Sequence, residues 1–350
     1  MRLKQITYIE SGWSLKGLHF KEVSLIVGKN SVGKSKSIQA LNQLVYLILQ
    51  KKAIHEYDNF GYKICFEKKD SELTYSFAYR NGKVYFEHLF DNNKTYIKRN
   101  TNYTKFYEEQ INPPENCLAL NIRRDTILYT EIEEIIRWAE NSYSLLFNRI
   151  IPGNDNNTSF FSTLSACEDL IPMFEKLNDN QKSNIVKELN NLNYQVDNLE
   201  IVKIDEKLKV LHIKEKNVRS FLWEGCLSQG MQRTLFILVF ITYIASKKEK
   251  NQLLVIDDFS EGLDYDRSIK LGKYIYNFCI ENNIQLITSS NDSFLMDVIN
   301  LKYWNILQRD GEKVTAININ NSPEIFNDFE FTGLSNFDLF SSDFITRHKK

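Results

Sequence analysis

Long apolar runs are scarce in this sequence. The most continuous one, TLFILVFITYIA at 234 to 245, is too short to span a bilayer and reads as a buried helix, so no membrane role is expected. The N-terminus, MRLKQITYIE, lacks the apolar segment of an export signal, and a cytoplasmic chain is the expectation. Cysteines are few, at 65, 117, 167, 226 and 279, odd in number and never in a CxxC pair. That excludes a disulfide scaffold and a cysteine zinc site, and reduced core thiols are expected. None of the 5 histidines stands in an HxxxH or HExxH spacing, which argues against a histidine metal site. Neither charge sign dominates: 44 Lys and Arg meet 45 Asp and Glu. The total therefore does not demand a nucleic-acid partner, although it can conceal a local basic face. Internal repeats and sustained heptads are absent too, which removes solenoids and long coiled-coil arms. With 43% apolar residues over 350 positions, the composition suits one large α/β domain with an inserted subdomain.

What is present begins at residue 28. GKNSVGKS, Gly28 to Ser35, follows the apolar run VSLIV and precedes SIQALNQLVYLILQ, whose apolar positions recur at helical spacing. GxxxxGK[ST] between a strand and a helix is a phosphate cradle. Its glycines let successive backbone N–H groups turn inward at a helix N-terminus, where an anion is favoured. Gly28 and Gly33 supply the backbone freedom, and Lys29, Asn30, Ser31, Val32 and Lys36 complete the loop. Lys34 would reach the β- and γ-phosphates, and the Ser35 hydroxyl would ligate Mg²⁺. A chance match arises about once per hundred chains of this length, and the flanking strand and helix reduce it further.

The rest of the chain falls into three spans. Residues 1 to 126 read as an N-terminal ATPase lobe: short strands, the loop and its helix, then β alternation over 60 to 99 (YKICFEK, LTYSFAYR, KVYFEHLF, TYIKR) separated by turn clusters, an antiparallel meander. Residues 127 to 220 read as a lid insertion, helical to 192 apart from the loop PGNDNNTS at 152 to 159, then two strands near LEIVKID and LKVLHIK. The lysines of 203 to 219 read as the solvated face of that hairpin, with DNA contact as the alternative. Residues 221 to 350 alternate helix and strand (LLVID, QLIT, YWNIL), the pattern of a parallel sheet.

Four features follow the phosphate loop in a telling order. CLSQGMQRTL opens the apolar helix, and its Leu227, Ser228, Gln229 and Gly230 resemble the ABC-ATPase signature LSGGQ, departing from it at Gln229 and Met231. A serine hydroxyl and glycine N–H groups at a helix N-terminus make a second γ-phosphate clamp, one used by an opposing subunit; a plain serine N-cap is the bland alternative. QLLVIDDFSEGLD at 252 to 264 is an apolar strand ending in two acids, the Walker B pattern. Asp257 would hold the Mg²⁺ water shell and Asp258 would polarise the attacking water, while Leu263 and Asp264 fit the D-loop. The acids lie one helix plus one turn beyond the signature, the spacing that the ABC arrangement requires. Last, QLITSSNDSFLMD places Ser290 where ABC relatives carry a γ-phosphate-sensing histidine, with Asn291 next; either could orient a water by hydrogen bonding, or simply cap a helix. Aspartate at 258 is one methylene shorter than the usual glutamate. A misplacement of about 1 Å can cost on the order of a hundredfold, so slow turnover is expected.

These motifs resemble an ABC-type ATPase head: α/β, a P-loop parallel-sheet core with an antiparallel β meander and an inserted helical lid. GWSLKGLHFKEVSLIVGKNSVGKS looks like the opening of the OLD, RecF and SMC-related ATPases, and SQGMQR is similar to the signature of prokaryotic AAA-family ATPases grouped with OLD. The resemblance is carried by residues 1 to 60 and 220 to 310. The best position for a Q-loop is ALNIRRDT around 118 to 126, which offers arginines in place of glutamine. Too little chain follows Asp264 for the TOPRIM nuclease domain of OLD proteins, and the chain resembles stand-alone ATPase subunits of bacterial anti-phage systems such as PARIS or Septu. The resemblance implies an ATP- and Mg²⁺-dependent homodimer or higher oligomer, with each nucleotide held between one P-loop and the other subunit's signature. It implies a separate effector, a nuclease or toxin. A RecF- or SMC-like DNA-repair ATPase is the alternative, a transporter subunit or a non-hydrolysing scaffold less so. The C-terminal run FEFTGLSNFDLFSSDFITRHKK reads as core packing or as a docking strip.

Overall fold

The computed structural model describes residues 1–68, 71–146, 166–206, 208–342 and 344–347. The loop read at 152 to 159 lies outside them. The strands β1 (Arg2–Glu10) and β2 (Trp13–His19) form a hairpin that feeds β3 (Val23–Val27), which is buried at every position. The phosphate loop then turns the chain into α1 (Lys34–Ile48), whose Ile38, Leu41, Leu44, Val45 and Ile48 form one buried stripe. The meander follows as β4 (Phe60–Glu67), β5 (Glu72–Arg80), β6 (Lys83–Phe90) and β7 (Thr95–Arg99). It continues past the expected end through β8 (Thr104–Phe106) and β9 (Glu109–Ile111). Its inward residues close over α1: the Tyr62 hydroxyl donates to the Ala40 carbonyl at 3.0 Å. From the next helix, α2 (Thr130–Glu140), Trp138 meets Phe66 edge-on at 4.9 Å.

The span 127 to 220 is not one unit. α2 shares the core of α1, and β10 (Ser142–Leu146), read as helical from the sequence, is a strand parallel to the Walker B strand, with Ser142 opposite Leu253. A five-residue segment carries too few positions to separate the two periods, and only a waiting sheet edge decides it. Then come α3 (Ala166–Glu175), α4 (Asp179–Asn191), and a separate three-stranded sheet of β11 (Val196–Lys203), β12 (Lys209–Glu215) and β13 (Phe221–Trp223). These elements pack on α5 (Gln229–Ser246), which is buried almost all round, as its uninterrupted apolar sequence requires.

The α/β alternation expected after 227 is observed: β14 (Leu253–Asp257), α6 (Tyr265–Glu281), β15 (Gln285–Ser289), α7 (Ser293–Val298) and β16 (Trp304–Asp310), then β17 (Lys313–Ile317). In the 14-stranded sheet the order β10-β14-β15-β3-β16 is parallel throughout; β17 reverses direction and β2, β1 and the meander complete the order. Alternation divides the core in two. Val23, Leu25 and Val27 of β3 face α5 and α6, whereas Ile26 faces α1. The C-terminal run folds as α8 (Pro323–Glu330), α9 (Asn336–Ser341) and α10 (Phe344–Arg347), burying Phe329, Leu339 and Ile345 and leaving Phe331 exposed. Of the cysteines, only Cys279 is a buried core thiol; Cys65 and Cys117 are half-buried, Cys226 is exposed, and the side chain of Cys167 lies outside the described residues.

One buried carboxylate ties the meander to the chain that follows it. Glu87 accepts from the backbone N–H groups of Ala119 (2.6 Å) and Leu120 (3.0 Å) and from the Tyr75 hydroxyl (2.8 Å). Burial raises its pKa, opposed by those hydrogen bonds and by Arg99. Glu87→Ala should destabilise by about 3 kcal/mol, because two buried amides lose their acceptor. Glu87→Gln should also destabilise, since its NH₂ must face an amide donor. A carboxyl whose folded pKa is raised stabilises most below its ordinary value of 4.5 and less as pH rises through the folded value. The Gln penalty should therefore narrow with rising pH, as measured by urea denaturation at several pH values.

Candidate functional site

The phosphate loop has the backbone of an anion cradle. Gly33 sits at φ 114°, a left-handed value that side chains resist, and Ser31 is also left-handed at 64°. Gly33 is the residue from which α1 begins. Lys34 is buried to 7% exposure, and its ammonium donates to the carbonyl of Gly28 at 2.8 Å and to that of Lys29 at 3.3 Å. Burial lowers its pKa, opposed by Asp258 and Asp257. Val32 turns its side chain into the core beside Gly28, so only its backbone is offered to a ligand.

Three strand ends converge here. The Ser35 hydroxyl lies 3.5 Å from Oδ1 of Asp257 at the end of β14. Ser289, at the end of β15, donates its hydroxyl to the same oxygen at 2.5 Å and accepts from the Asp258 N–H at 3.0 Å. Asp258 itself is left-handed at φ 47°, a strained conformation for a residue with a Cβ. Burial raises its pKa, as do Asp257 and Glu261, against Lys34 and Arg233. The two sensor candidates separate. Asn291 lines the cavity and donates from Nδ2 to Asn30 Oδ1 at 3.0 Å. Ser290 is 1% exposed, shares a hydrogen bond with the Ser260 hydroxyl at 2.9 Å and accepts from the Asp292 N–H at 3.0 Å. The cavity of about 500 Å³ is lined by Asn30, Ser31, Gly33, Lys34, Ser35, Lys36, Asp258 and Asn291, with Gly12, Trp13 and Arg309.

No protein-family model matches the sequence, and no match is found among curated proteins. Solved structures do match. The chain is similar to the SMC head domain from Thermotoga maritima over 91% of its own length and 99% of that chain, at 14% identity and a TM-score of 0.50. It is similar to an Smc head bound to the C-terminal winged-helix domain of ScpA, over 93% of this chain and 100% of that one, at 10% identity and a TM-score of 0.56. The Smc head domain with an extended coiled coil from Pyrococcus furiosus, bound to the C-terminal domain of ScpA, matches over 94% and 99% at 10% identity and a TM-score of 0.55. The fold is that of an SMC head.

Within this SMC-head fold the signature forms a second edge. Ser228 is the N-cap of α5, accepting from the Met231 N–H at 3.4 Å; it and Gln229 are exposed, while Leu227 is buried. Gly230 has a packing reason as well: a Cβ there would sit 2.5 Å from the Gly262 carbonyl oxygen, so glycine lets the D-loop turn close on α5. Asp264 caps α6, accepting from the Arg267 N–H at 3.0 Å and pairing with its guanidinium at 2.7 Å. Among the described residues, Leu227, Ser228, Gln229 and Gly230 contribute nothing to the phosphate-loop cavity.

Sequence reasoning passed over several residues. Arg233, 7% exposed, reaches from α5 to the Asp258 carbonyl at 2.9 Å and the Glu261 carbonyl at 2.6 Å, joining the signature helix to the Walker B turn. Its place one helical turn after Gly230 was the available clue. Arg309 donates to the Ser31 carbonyl at 3.2 Å from β16, and Ser289 bridges the acids; neither belongs to a local motif. The segment 118 to 126 lies elsewhere. Asn121 and Arg124 line another cavity of about 540 Å³, and Arg124 is committed to a bidentate pair with Glu133 at 2.5 and 2.7 Å.

Ser35 and Asp257 offer the hard oxygen donors, few in number, that suit a Mg²⁺ ion retaining water and phosphate ligands. Asp258→Asn should raise stability by about 1 kcal/mol, because asparagine tolerates φ 47° better and no longer repels Asp257. Arg233→Ala should lower stability by about 2–3 kcal/mol, leaving two carbonyls without a donor. Thermal unfolding of both variants checks the opposite signs.

Proposed function

We propose that this chain is an ABC-type ATPase that binds Mg²⁺–ATP at the phosphate loop and pairs with a second copy to enclose it. The observation that carries the reading is the junction of Ser35, Asp257 and Ser289, which brings phosphate loop, Walker B and sensor strand to one point. Lys34 and backbone amides of the phosphate loop would bind the phosphates, and Ser35 and Asp257 would hold Mg²⁺, whose charge would offset that of the phosphates. Asp258, lining the cavity, takes the proton of the attacking water, and Asn291 orients that water. Ser290, buried against Ser260, supports the strand end.

The exposed Ser228 and Gln229 line no part of the phosphate-loop cavity, so the signature that meets the nucleotide there is a second copy's. ATP then bridges two copies and hydrolysis loosens them. The insertion of α3, α4 and the small sheet acts as the lid that moves with α5. Following the SQGMQR resemblance, the switch regulates a separate effector in anti-phage defence. Solved heads of this fold are bound to a ScpA domain, a precedent for a separate partner.

Lys34→Ala should abolish ATP-dependent dimerisation, whereas Asp258→Asn should trap an ATP-bound dimer, read by light scattering. A monomeric Asp258→Asn protein at micromolar concentration with Mg²⁺–ATP would sink the reading. Native mass spectrometry of the tagged protein from its host tests the effector: a nuclease- or toxin-like companion supports it, and a bare dimer removes it.

A second reading, a DNA-dependent ATPase, has its own observation. Across the solvent side of the meander, Lys63, Ser76, His88, Lys98 and Lys105 stand opposite one another in register, a row that carries three lysines, of which Lys105 pairs with Glu108 at 3.1 Å. Duplex DNA should then stimulate hydrolysis with a steep salt dependence, and Lys98→Glu should blunt it.

A further inference from the structure

We propose that Trp223, with Phe221 beside it, anchors the interface between two copies of this chain, the opposing copy covering the indole while nucleotide is bound. The inference rests on the paired-head reading above and adds to it a contact that no motif assigns.

The chain has 4 tryptophans. Trp13, Trp138 and Trp304 are at most 3% exposed, whereas Trp223 is 51% exposed and Phe221, on the same face of β13, is 45% exposed. Both are held in place. A Cβ on Gly225 would lie 2.4 Å from the Trp223 ring, so the indole rests directly on the backbone that leads into the signature. Phe221 stacks on His212 at 5.4 Å and lies under the Lys214 ammonium at 4.7 Å. The turn between β13 and α5 is braced as well. The Glu224 carboxylate accepts from the Leu211 N–H at 2.7 Å, and Gln232 donates to the Glu224 carbonyl at 2.9 Å. An ordered aromatic loses little conformational freedom on being covered, which favours it as an anchor.

The occupant follows from what adjoins the pair. Exposed Cys226, Ser228 and Gln229 continue the edge, and through the close approach of Gly230 to Gly262 it runs into the D-loop turn, where Glu261 and Asp264 are each about half exposed although paired with Arg233 and Arg267, and where Asp266 is exposed as well. Beside the phosphate loop Lys29 and Arg309 are both exposed, and Arg309 lines its cavity. An acidic edge and a basic rim on one chain are complementary when a second copy is related by a twofold axis, since each edge then meets the other's rim. Ser228 can reach the opposite nucleotide only from that edge, so Trp223 and Phe221 are carried into the same contact.

The test uses the full chain carrying Asp258→Asn, with and without Mg²⁺–ATP, reading mass by light scattering and Trp accessibility by iodide quenching. Trp223 is the one indole open to iodide, so its shielding reports on this surface. Expected are a dimer, loss of the quenchable emission, and dimer affinity about thirtyfold weaker in Trp223→Ala, with Trp223→Phe recovering part of it. A thermal melt like that of the parent confirms that the alanine variant is folded, and Phe221→Ala, which leaves the indole in place, should weaken the dimer in the same direction. A dimer whose emission stays quenchable overturns this inference and leaves the paired-head reading standing. Shielding without any weakening in Trp223→Ala overturns the anchoring role. Absence of a dimer overturns the paired-head reading and this inference with it.

Discussion

The Asp257 carboxylate is the point on which the site depends. One of its oxygens meets the Ser35 and Ser289 hydroxyls, so segments far apart in the chain share one acceptor. This is possible because β3, β14 and β15 run parallel and adjacent, which brings their C-terminal ends to one edge of the sheet. Negative charge is tolerated there because Lys34 and Arg233 are buried close by. The resulting balance leaves Asp258 in a left-handed conformation and crowded by Asp257 and Glu261.

From that point the structure couples outward. Arg233 hangs the Walker B turn from α5 by two backbone carbonyls, and Gly230 lets the D-loop close on the same helix. Arg267 extends the chain of contacts. It pairs with Asp264, lies 4.1 Å from the Tyr194 ring centre, and donates to the carbonyls of Leu192 and Asn193. Signature helix, D-loop and the inserted segment are therefore linked by two guanidiniums, each satisfying several acceptors in a fixed fork. A shift at one of these elements must displace the others or break those bonds.

The sequence alone settled the features carried by short-range rules. GKNSVGKS specified a strand-loop-helix cradle because glycine spacing and a helix N-terminus are local physics. LLVIDD and QLITSS were legible as buried strands with polar exits, and β4 to β7 as a meander, because alternation with a period of two needs no partner to be seen. The order of motifs pointed to the fold that the SMC heads share.

Tertiary structure decided what depends on who stands next to whom. SYSLL became β10 because an open edge of β14 was there to pair with it. Asn291 rather than Ser290 faced the cavity because Ser260 claimed the serine hydroxyl. Arg124 went to Glu133, away from the phosphate loop, and Arg233 and Arg309 came to the site from a helix and a strand with no motif of their own. Local propensity is written in neighbouring residues, whereas side-chain partnership is set by packing between separate segments, here from 9 to 278 residues apart. Spacing in a sequence carries the first and not the second.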